Sequence, residues 1–400
     1  VGVIPEEWNV ERLGRLADFF TSGSRGWAQF YTESGALFIR SQNVRDGRLT
    51  FEDVQCVSPP SGAEGNRTKV LLNDLLITIT GNSVGNVAMV DQVFDEAYIS
   101  QHVGLVRLRE PGAAGYICRY LSPNSPGNPQ IAGSQSGQSK PGLNLQNLRD
   151  FWIAVPATAE ELHAIAAALS DMDALLAGLD RLIAKKRDLK QAAMQQLLAG
   201  QTRLPGFHGE WEVKRLGNLF DIAVGTSKTA FVTEEGDYWI CDMGSVSVMG
   251  ELIVSKRTNY HGDFLEVGDL VMPKDDIGGG KIIGKVGFVD GNGLYVLGDH
   301  VYRLRALEGD SRFLAYLINS HRTNSELRKK VVGSAQLGLG RRSVEEQEIT
   351  VPPLPEQSAI ATILSDMDTE LSALEARRDK THALKQAMMQ ELLTGKTRLV

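Results

Sequence analysis

Apolar residues at positions 165, 169, 172, 176, 179 and 183 (Ile165, Leu169, Met172, Leu176, Leu179 and Ile183) are separated by alternating steps of four and three. That spacing draws one apolar seam along a helix, and a seam of this kind is stable only against a partner. The same steps recur at Ile360, Leu364, Met367, Leu371 and Leu374, with Arg378 at the sixth place. Punctuation delimits both helices. Thr158 and Glu161 read as a Thr-x-x-Glu capping box, Pro355 suits a first turn, and Gly200 and Gly395 stand where glycines end helices. Elsewhere the pattern is of short apolar stretches between polar, glycine-rich turns, which predicts strands at 37–40, 75–80, 103–108, 238–241, 270–272 and 281–289. Helical pieces near 116–121 and 312–319 make the class α+β.

The two seams belong to an internal repeat. Residues 165–204 align without gaps on 360–399 at an offset of 195, and 22 of the 40 positions are identical. Chance would give roughly two to four, since common residue types each make up less than about a tenth of ordinary chains. Leu169-Ser170-Asp171-Met172-Asp173 answers Leu364-Ser365-Asp366-Met367-Asp368, Leu189-Lys190-Gln191-Ala192 answers Leu384-Lys385-Gln386-Ala387, and Thr202-Arg203-Leu204 answers Thr397-Arg398-Leu399. Upstream the match is weaker but collinear: Trp8 with Trp211, Gly14 with Gly217, Asp74-Leu75 with Asp269-Leu270, His102-Val103 with His300-Val301, Gly133-Ser134 with Gly333-Ser334.

The chain thus divides into a globular domain over 1–157, a helix over 158–200, a second globular domain over 201–354 and a second helix over 355–400. At 1.5 Å per residue, about 40 residues make a rod of roughly 60 Å. Pairing the two seams buries both. A domain with close termini, inserted between the helices, makes the pair antiparallel and places the globular domains at opposite ends of a spacer with pseudo-twofold symmetry. The alternative is that each helix packs on its own domain.

Composition narrows the chemistry. With 42% hydrophobic and 23% charged residues over 400 positions, the chain is core-forming and multidomain, and collagen-like or disordered readings fall away. Lys and Arg number 42 against 49 Asp and Glu, a net charge of −7, so any contact with nucleic acid is made by local basic patches. No apolar run approaches the roughly 18 residues of a membrane span, and Pro5, Glu6 and Glu7 are unlike a secretory leader, so a cytoplasmic protein is expected. Cys56, Cys118 and Cys241 are too scattered for a disulfide framework or a metal clip.

Polar loops carry the candidate binding chemistry, because amides, hydroxyls and guanidinium groups read base edges and clamp phosphates. In the first half these residues are Ser24, Arg25, Arg40, Gln42, Asn43, Arg45, Asn82, Ser134, Gln135, Gln138 and Lys140. In the second they are Ser227, Lys228, Lys274, Lys281, Ser334, Gln336, Arg341 and Arg342. The same residues also suit solvated loops. His102 and His300 match in position but lack ligand-type neighbours at metal spacing, so a core or loop role is expected for both and no metal site is. Residues 279–286 have the spacing of a phosphate-binding loop, but Val286 stands where a Ser or Thr must meet magnesium. Neither HExxH nor Gly-x-Ser-x-Gly occurs. An Asp- or Asn-Pro-Pro-aromatic step is absent too: Ser58-Pro59-Pro60-Ser61 and Val351-Pro352-Pro353-Leu354 lack both its head and its aromatic.

Taken together, Gly14 and Gly217 after their tryptophans, the two Asp-Leu steps, the two Gly-Ser steps, Val351-Pro352-Pro353-Leu354-Pro355-Glu356-Gln357, and Leu-Lys-Gln with Leu-Leu-x-Gly-x-Thr-Arg-Leu resemble the signatures of the specificity subunits of type I restriction-modification enzymes. The resemblance covers the whole chain. It implies two target-recognition domains that read the two parts of a split, asymmetric sequence in double-stranded DNA. It also implies paired helices that dock two methyltransferase subunits, to which restriction-translocase subunits attach. S-adenosylmethionine, ATP and magnesium are then expected on the partners, none on this chain, which is not an enzyme. The first copy departs at Val155-Pro156-Ala157-Thr158-Ala159-Glu160-Glu161. A coiled-coil scaffold without DNA recognition is the competing class, and a stand-alone enzyme a more distant one.

Overall fold

The computed structural model describes residues 3–45, 47–60, 62–135, 142–277, 279–333 and 337–399. It forms two compact units, one of residues 1–181 with 376–400 and the other of residues 182–375. The units follow the same plan. In the first, an antiparallel sheet runs in the order Ala17–Ser22, Val103–Leu108, Leu75–Thr78, Val87–Met89. In the second the order is Phe220–Val224, Val301–Ala306, Leu270–Pro273, Gly287–Phe288. The register is also shared, with Val103 opposite Thr78 and Val301 opposite Pro273. These central strands are buried almost throughout, as continuous apolar runs require.

A second four-stranded sheet in each unit contains one parallel pair. Ala97–Ile99 lies along Ala36–Ile39 in unit one, and Tyr295–Leu297 along Tyr238–Cys241 in unit two. A two-stranded ribbon closes each globular part: Asn9–Arg12 on Trp152–Val155, and Glu212–Arg215 on Glu348–Val351. The helices Ala114–Leu121 and Ser311–Asn319 pack inward through Tyr116, Ile117 and Tyr120, and through Phe313, Leu314 and Ile318. One expected strand is largely missing. Of residues 281–289 only Gly287–Phe288 is extended, because Gly279, Gly280 and Gly284 take positive φ and turn the chain. A helix over His321–Lys329, which the apolar pattern did not announce, follows Ser311–Asn319.

The long helices span Ala159–Leu197 and Leu354–Leu392, and Gly200 and Gly395 end them at φ +65° and +70°. Each unit contains a stretch of both helices. In unit one the core joins Ile165 and Leu169 of the first helix to Met389 and Leu392 of the second, with Leu393 just beyond, around Trp8, Leu13 and Tyr116. In unit two it joins Leu197, and Leu198 just after it, to Ile360 and Leu364, around Leu216, Phe313 and Ile349. Segments that begin one helix therefore lie against segments that end the other, which is antiparallel packing inside each unit. Seam positions Ile165, Leu169, Leu179, Ile360, Leu364 and Leu371 are buried, and Met172, Leu176, Met367 and Leu374 half-buried.

The first helix does contain an 18-residue window of mean hydropathy 1.4, so by length and composition it is apolar enough to cross a membrane, contrary to the expectation from runs alone. Its apolar seam is covered by protein at Ile165, Leu169 and Leu179. Cys118 and Cys241 are buried, and burial pushes both thiols up to about 12.

Candidate nucleic-acid interface

Buried ion pairs fix the frame of each unit. Asp74, wholly buried at the start of Leu75–Thr78, takes Arg107 at 2.7 and 2.8 Å from the neighbouring strand and the Leu71 N–H at 2.7 Å. Asp269 does the same with Arg305 at 2.8 Å and the Glu266 N–H at 2.9 Å. A carboxylate that accepts a bidentate guanidinium and a backbone N–H locks the turn into the strand, which is the physical content of the repeated Asp-Leu step. Gly14 and Gly217 are needed for close approach: a Cβ would come within 3.1 Å of Arg149 or Glu345.

In unit one Asp173 binds Lys385 at 2.5 Å and Arg119 at 2.9 Å, while in unit two Asp368 binds Lys190 and, at 2.5 Å, the Tyr316 hydroxyl. The Leu-Ser-Asp-Met-Asp string of one helix thus meets the Leu-Lys-Gln-Ala string of the other. The helix ends are clasped in the same crossed way. Arg398 binds Glu161 at 2.8 Å and lies over the Trp8 ring, whose indole N–H reaches Glu161 at 3.3 Å. Arg203 binds Glu356 at 2.5 and 2.6 Å and lies over Trp211. This corrects the capping-box reading. Thr158 Oγ1 does accept the Glu161 N–H at 3.2 Å, but the Glu161 carboxylate turns to Arg398 and Trp8 instead of closing the box.

At the far end of the central strand, three segments meet. The Ile79 N–H donates to the His102 carbonyl at 2.9 Å and the Leu143 N–H to the Ile79 carbonyl at 2.8 Å. In unit two the Lys274 N–H donates to His300 at 3.0 Å and the Leu339 N–H to Lys274 at 2.7 Å. This common backbone knot carries polar side chains. Thr80 Oγ1 lies 2.5 Å from His102 Nδ1, and Gln101 Nε2 lies 3.1 Å from His102 Nε2. In the same places Asp275 Oδ2 lies 2.7 Å from His300 Nδ1, and Asp299 Oδ2 lies 3.8 Å from His300 Nε2. Lys274 Nζ completes the second cluster, 2.6 Å from Asp275.

The candidate reading residues are distributed unevenly about this end. Asn82 is exposed on the turn after Leu75–Thr78; Ser134 donates to the Gln130 carbonyl at 2.7 Å, and Gln135 is half-buried nearby. Arg25, Gln42, Arg45, Ser227, Lys281, Arg341 and Arg342 are exposed. Several of these polar groups are already engaged. Arg40 and Gln42 bind Asp53, Arg45 donates to the Gln42 carbonyl, and Ser24 accepts from Arg67 at 2.6 Å. Arg341 and Arg342 pair with Glu345 and Glu346 along one short helix, both at 2.7 Å. Two assignments do not fit contact with a base. Asn43 is buried, its amide donating to the Thr50 and Asp53 carbonyls and its oxygen taking the Arg40 N–H; Lys228 is 3% exposed, held by Asp263 at 2.7 Å and Thr226. Both are spent on holding their own loops. Gln138, Lys140, Ser334 and Gln336 lie outside the described residues. Sequence reading passed over Thr80, Gln101, Asp275 and Asp299; Gln101 and Asp299 were signalled by adjacency to the matched histidines, whereas Thr80 and Asp275 lie 22 and 25 positions from them.

Residues 208–382 match the family model described as type I restriction modification DNA specificity domain. A Methanocaldococcus jannaschii protein named for the MjaX type I restriction enzyme specificity subunit is 22% identical over all of this chain and 96% of its own length. The MjaVIII specificity subunit of the same organism is 26% identical over 66% of each chain. In fold, the chain is similar to the type I S subunit from M. genitalium, with a TM-score of 0.64 and 15% identity over 98% of this chain and 97% of that one. A chain solved in work on complex assembly and conformational transition of the type I R-M system gives 0.58 and 19%, over 98% and 99%. With the internal repeat and the crossed helices in place, residues 208–382 carry a type I restriction modification DNA specificity domain, and the chain as a whole is similar to the specificity subunits of type I restriction-modification systems.

Proposed function

We propose that each unit reads one part of a bipartite, asymmetric DNA site and that the paired helices dock two methyltransferase subunits, which in turn recruit restriction-translocase subunits. The observation that carries this reading is a contrast within the chain. Crossed helix contacts recur residue for residue in the two units, Asp173–Lys385 beside Asp368–Lys190 and Arg398–Glu161 beside Arg203–Glu356. The polar side chains at the strand ends differ: Thr80 and Gln101 against Asp275 and Asp299. A common frame with unlike polar ends suits two heads that read different bases. The domains act as reading heads over 1–157 and 201–354, with 158–200 and 355–400 as frame, in the cytoplasm where the partners and DNA are.

Exchanging residues 1–155 for the corresponding part of another specificity subunit should change one half of the methylated sequence and leave the other unchanged. Mapping methylated adenines in cells expressing the full system checks this; a swap that alters both halves together contradicts independent heads. Salt-sensitive duplex binding by the assembled complex separates this reading from a scaffold that only joins proteins.

The purified chain incubated with S-adenosylmethionine and DNA should transfer no methyl group, because S-adenosylmethionine, ATP and magnesium belong to the partner subunits in this scheme. Among the described residues no group of three or more His, Cys, Asp or Glu is placed to hold a metal ion. Incorporation of labelled methyl groups without a partner would refute the division of labour.

A further inference from the structure

We propose that His102 and His300 are specificity-determining residues, each held through Nδ1 by the residue at the strand end with Nε2 turned toward the residue that precedes it, so that the triads Thr80–Gln101–His102 and Asp275–Asp299–His300 each read one base position. The inference rests on the DNA-recognition reading above and adds the residues that carry it.

Packing does not account for these histidines. The globular halves have diverged at most positions, yet a histidine stands at the same backbone knot in each. His102 is exposed and the His300 side chain is 45% exposed, so neither ring fills a core. His300 also holds a left-handed backbone at φ +61°, which a side-chain-bearing residue seldom adopts. What the two rings share is orientation. In both, Nδ1 is taken by a side chain from the end of the central strand, which turns Nε2 toward the residue before the histidine.

The partners set what each ring offers. Burial tends to raise the Asp275 carboxyl, but its bonds with Lys274 and His300 outweigh this and hold it below the usual carboxylate range. An ionised carboxylate only accepts, so His300 Nδ1 carries the proton of that bond, while the Asp275 oxygens stay acceptors. Asp299 adds further acceptors beside the ring. Such a pair repels phosphate and suits the exposed amino group of cytosine or adenine in the major groove. Thr80, by contrast, donates or accepts, and Gln101 places an amide at the ring, the group that reads adenine by two bonds. Unit one therefore presents a neutral donor and acceptor set and unit two an acidic one.

The test uses the full system with His102→Ala, His102→Gln, His300→Ala and Asp299→Asn, each variant first matched to the parent in thermal melting. Methylation is mapped over a library of duplexes with randomised half-sites. Roughly tenfold loss of preference at one position of one half-site is expected for the His102 variants, with partial retention in His102→Gln. A similar loss in the other half-site is expected for His300→Ala and Asp299→Asn, at a position occupied by an amino-bearing base. Unchanged preferences overturn the inference, as does uniformly weaker methylation across all sequences, which marks phosphate contact. If the parent complex itself shows no sequence preference, the DNA-recognition reading falls and takes this one with it.

Discussion

Asp269→Ala should cost about 3 kcal/mol and lower the melting temperature by roughly 6–12 °C, whereas Asp221→Ala should cost about 0.5 kcal/mol or less. Both aspartates pair with an arginine on the strand Val301–Ala306. They differ in surroundings. Asp269 is 1% exposed and accepts both Arg305 nitrogens and the Glu266 N–H, while the Asp221 side chain is 55% exposed. Removing Asp269 strips a guanidinium of its bidentate partner and takes the acceptor from the Glu266 N–H. Arg305 keeps contact with Glu266 at 2.9 Å and is 32% exposed, which holds the cost near the low end for broken buried pairs. Asp74→Ala should behave alike in unit one, through Arg107 and the Leu71 N–H. Equal losses for Asp269 and Asp221 in thermal unfolding would show that the Asp-Leu step is not a structural lock.

Burial also explains which parts of this architecture were legible in sequence. The helical seam was, because a periodic apolar stripe has few stable uses, and Ile165, Leu169, Ile360 and Leu364 are indeed buried. The central strands were, since 103–108 and 270–272 are near-continuous apolar runs. Residues 281–289 misled for a definite reason: Ile282, Ile283 and Val286 look like strand, but the positive-φ glycines Gly279, Gly280 and Gly284, before and between them, impose turns. Glu161 misled differently. A glutamate three places after a threonine fits a capping box by local pattern, and the arginine that claims it is 237 positions away.

The candidate interface was the least legible part, since a polar residue in a loop looks the same whether it faces solvent or serves the loop. Asn43 and Lys228 are of the second kind, and only their hydrogen-bond partners reveal it. The histidine triads were hidden because Thr80 lies 22 residues from His102, and Asp275 lies 25 from His300. Matched position drew attention to the rings; the chemistry lay in residues that the repeat does not share.

Crossed helix packing has its own consequence, which a mutation at the end of the second helix exposes. Leu393 follows that helix, yet it is fully buried in the core of unit one with Trp8, Leu13, Leu162 and Ile165. Its counterpart Leu198 follows the first helix and is buried in unit two with Leu216, Ile349 and Ile360. An aspartate at either site loses the transfer energy of leucine and places a charge where no partner is provided, a cost of about 5 kcal/mol or more. Leu393→Asp should therefore strip hydrogen-exchange protection from strands of residues 9–155, which are more than 200 positions away, while Leu198→Asp should do so in residues 212–351. Gly178→Asp is the control, since a Cβ there meets nothing within 4 Å and the helix gains by losing a glycine. Were the helices each packed only on the globular part that precedes them, Leu393→Asp would weaken residues 212–351 instead, and that pattern of lost protection would overturn the antiparallel pairing.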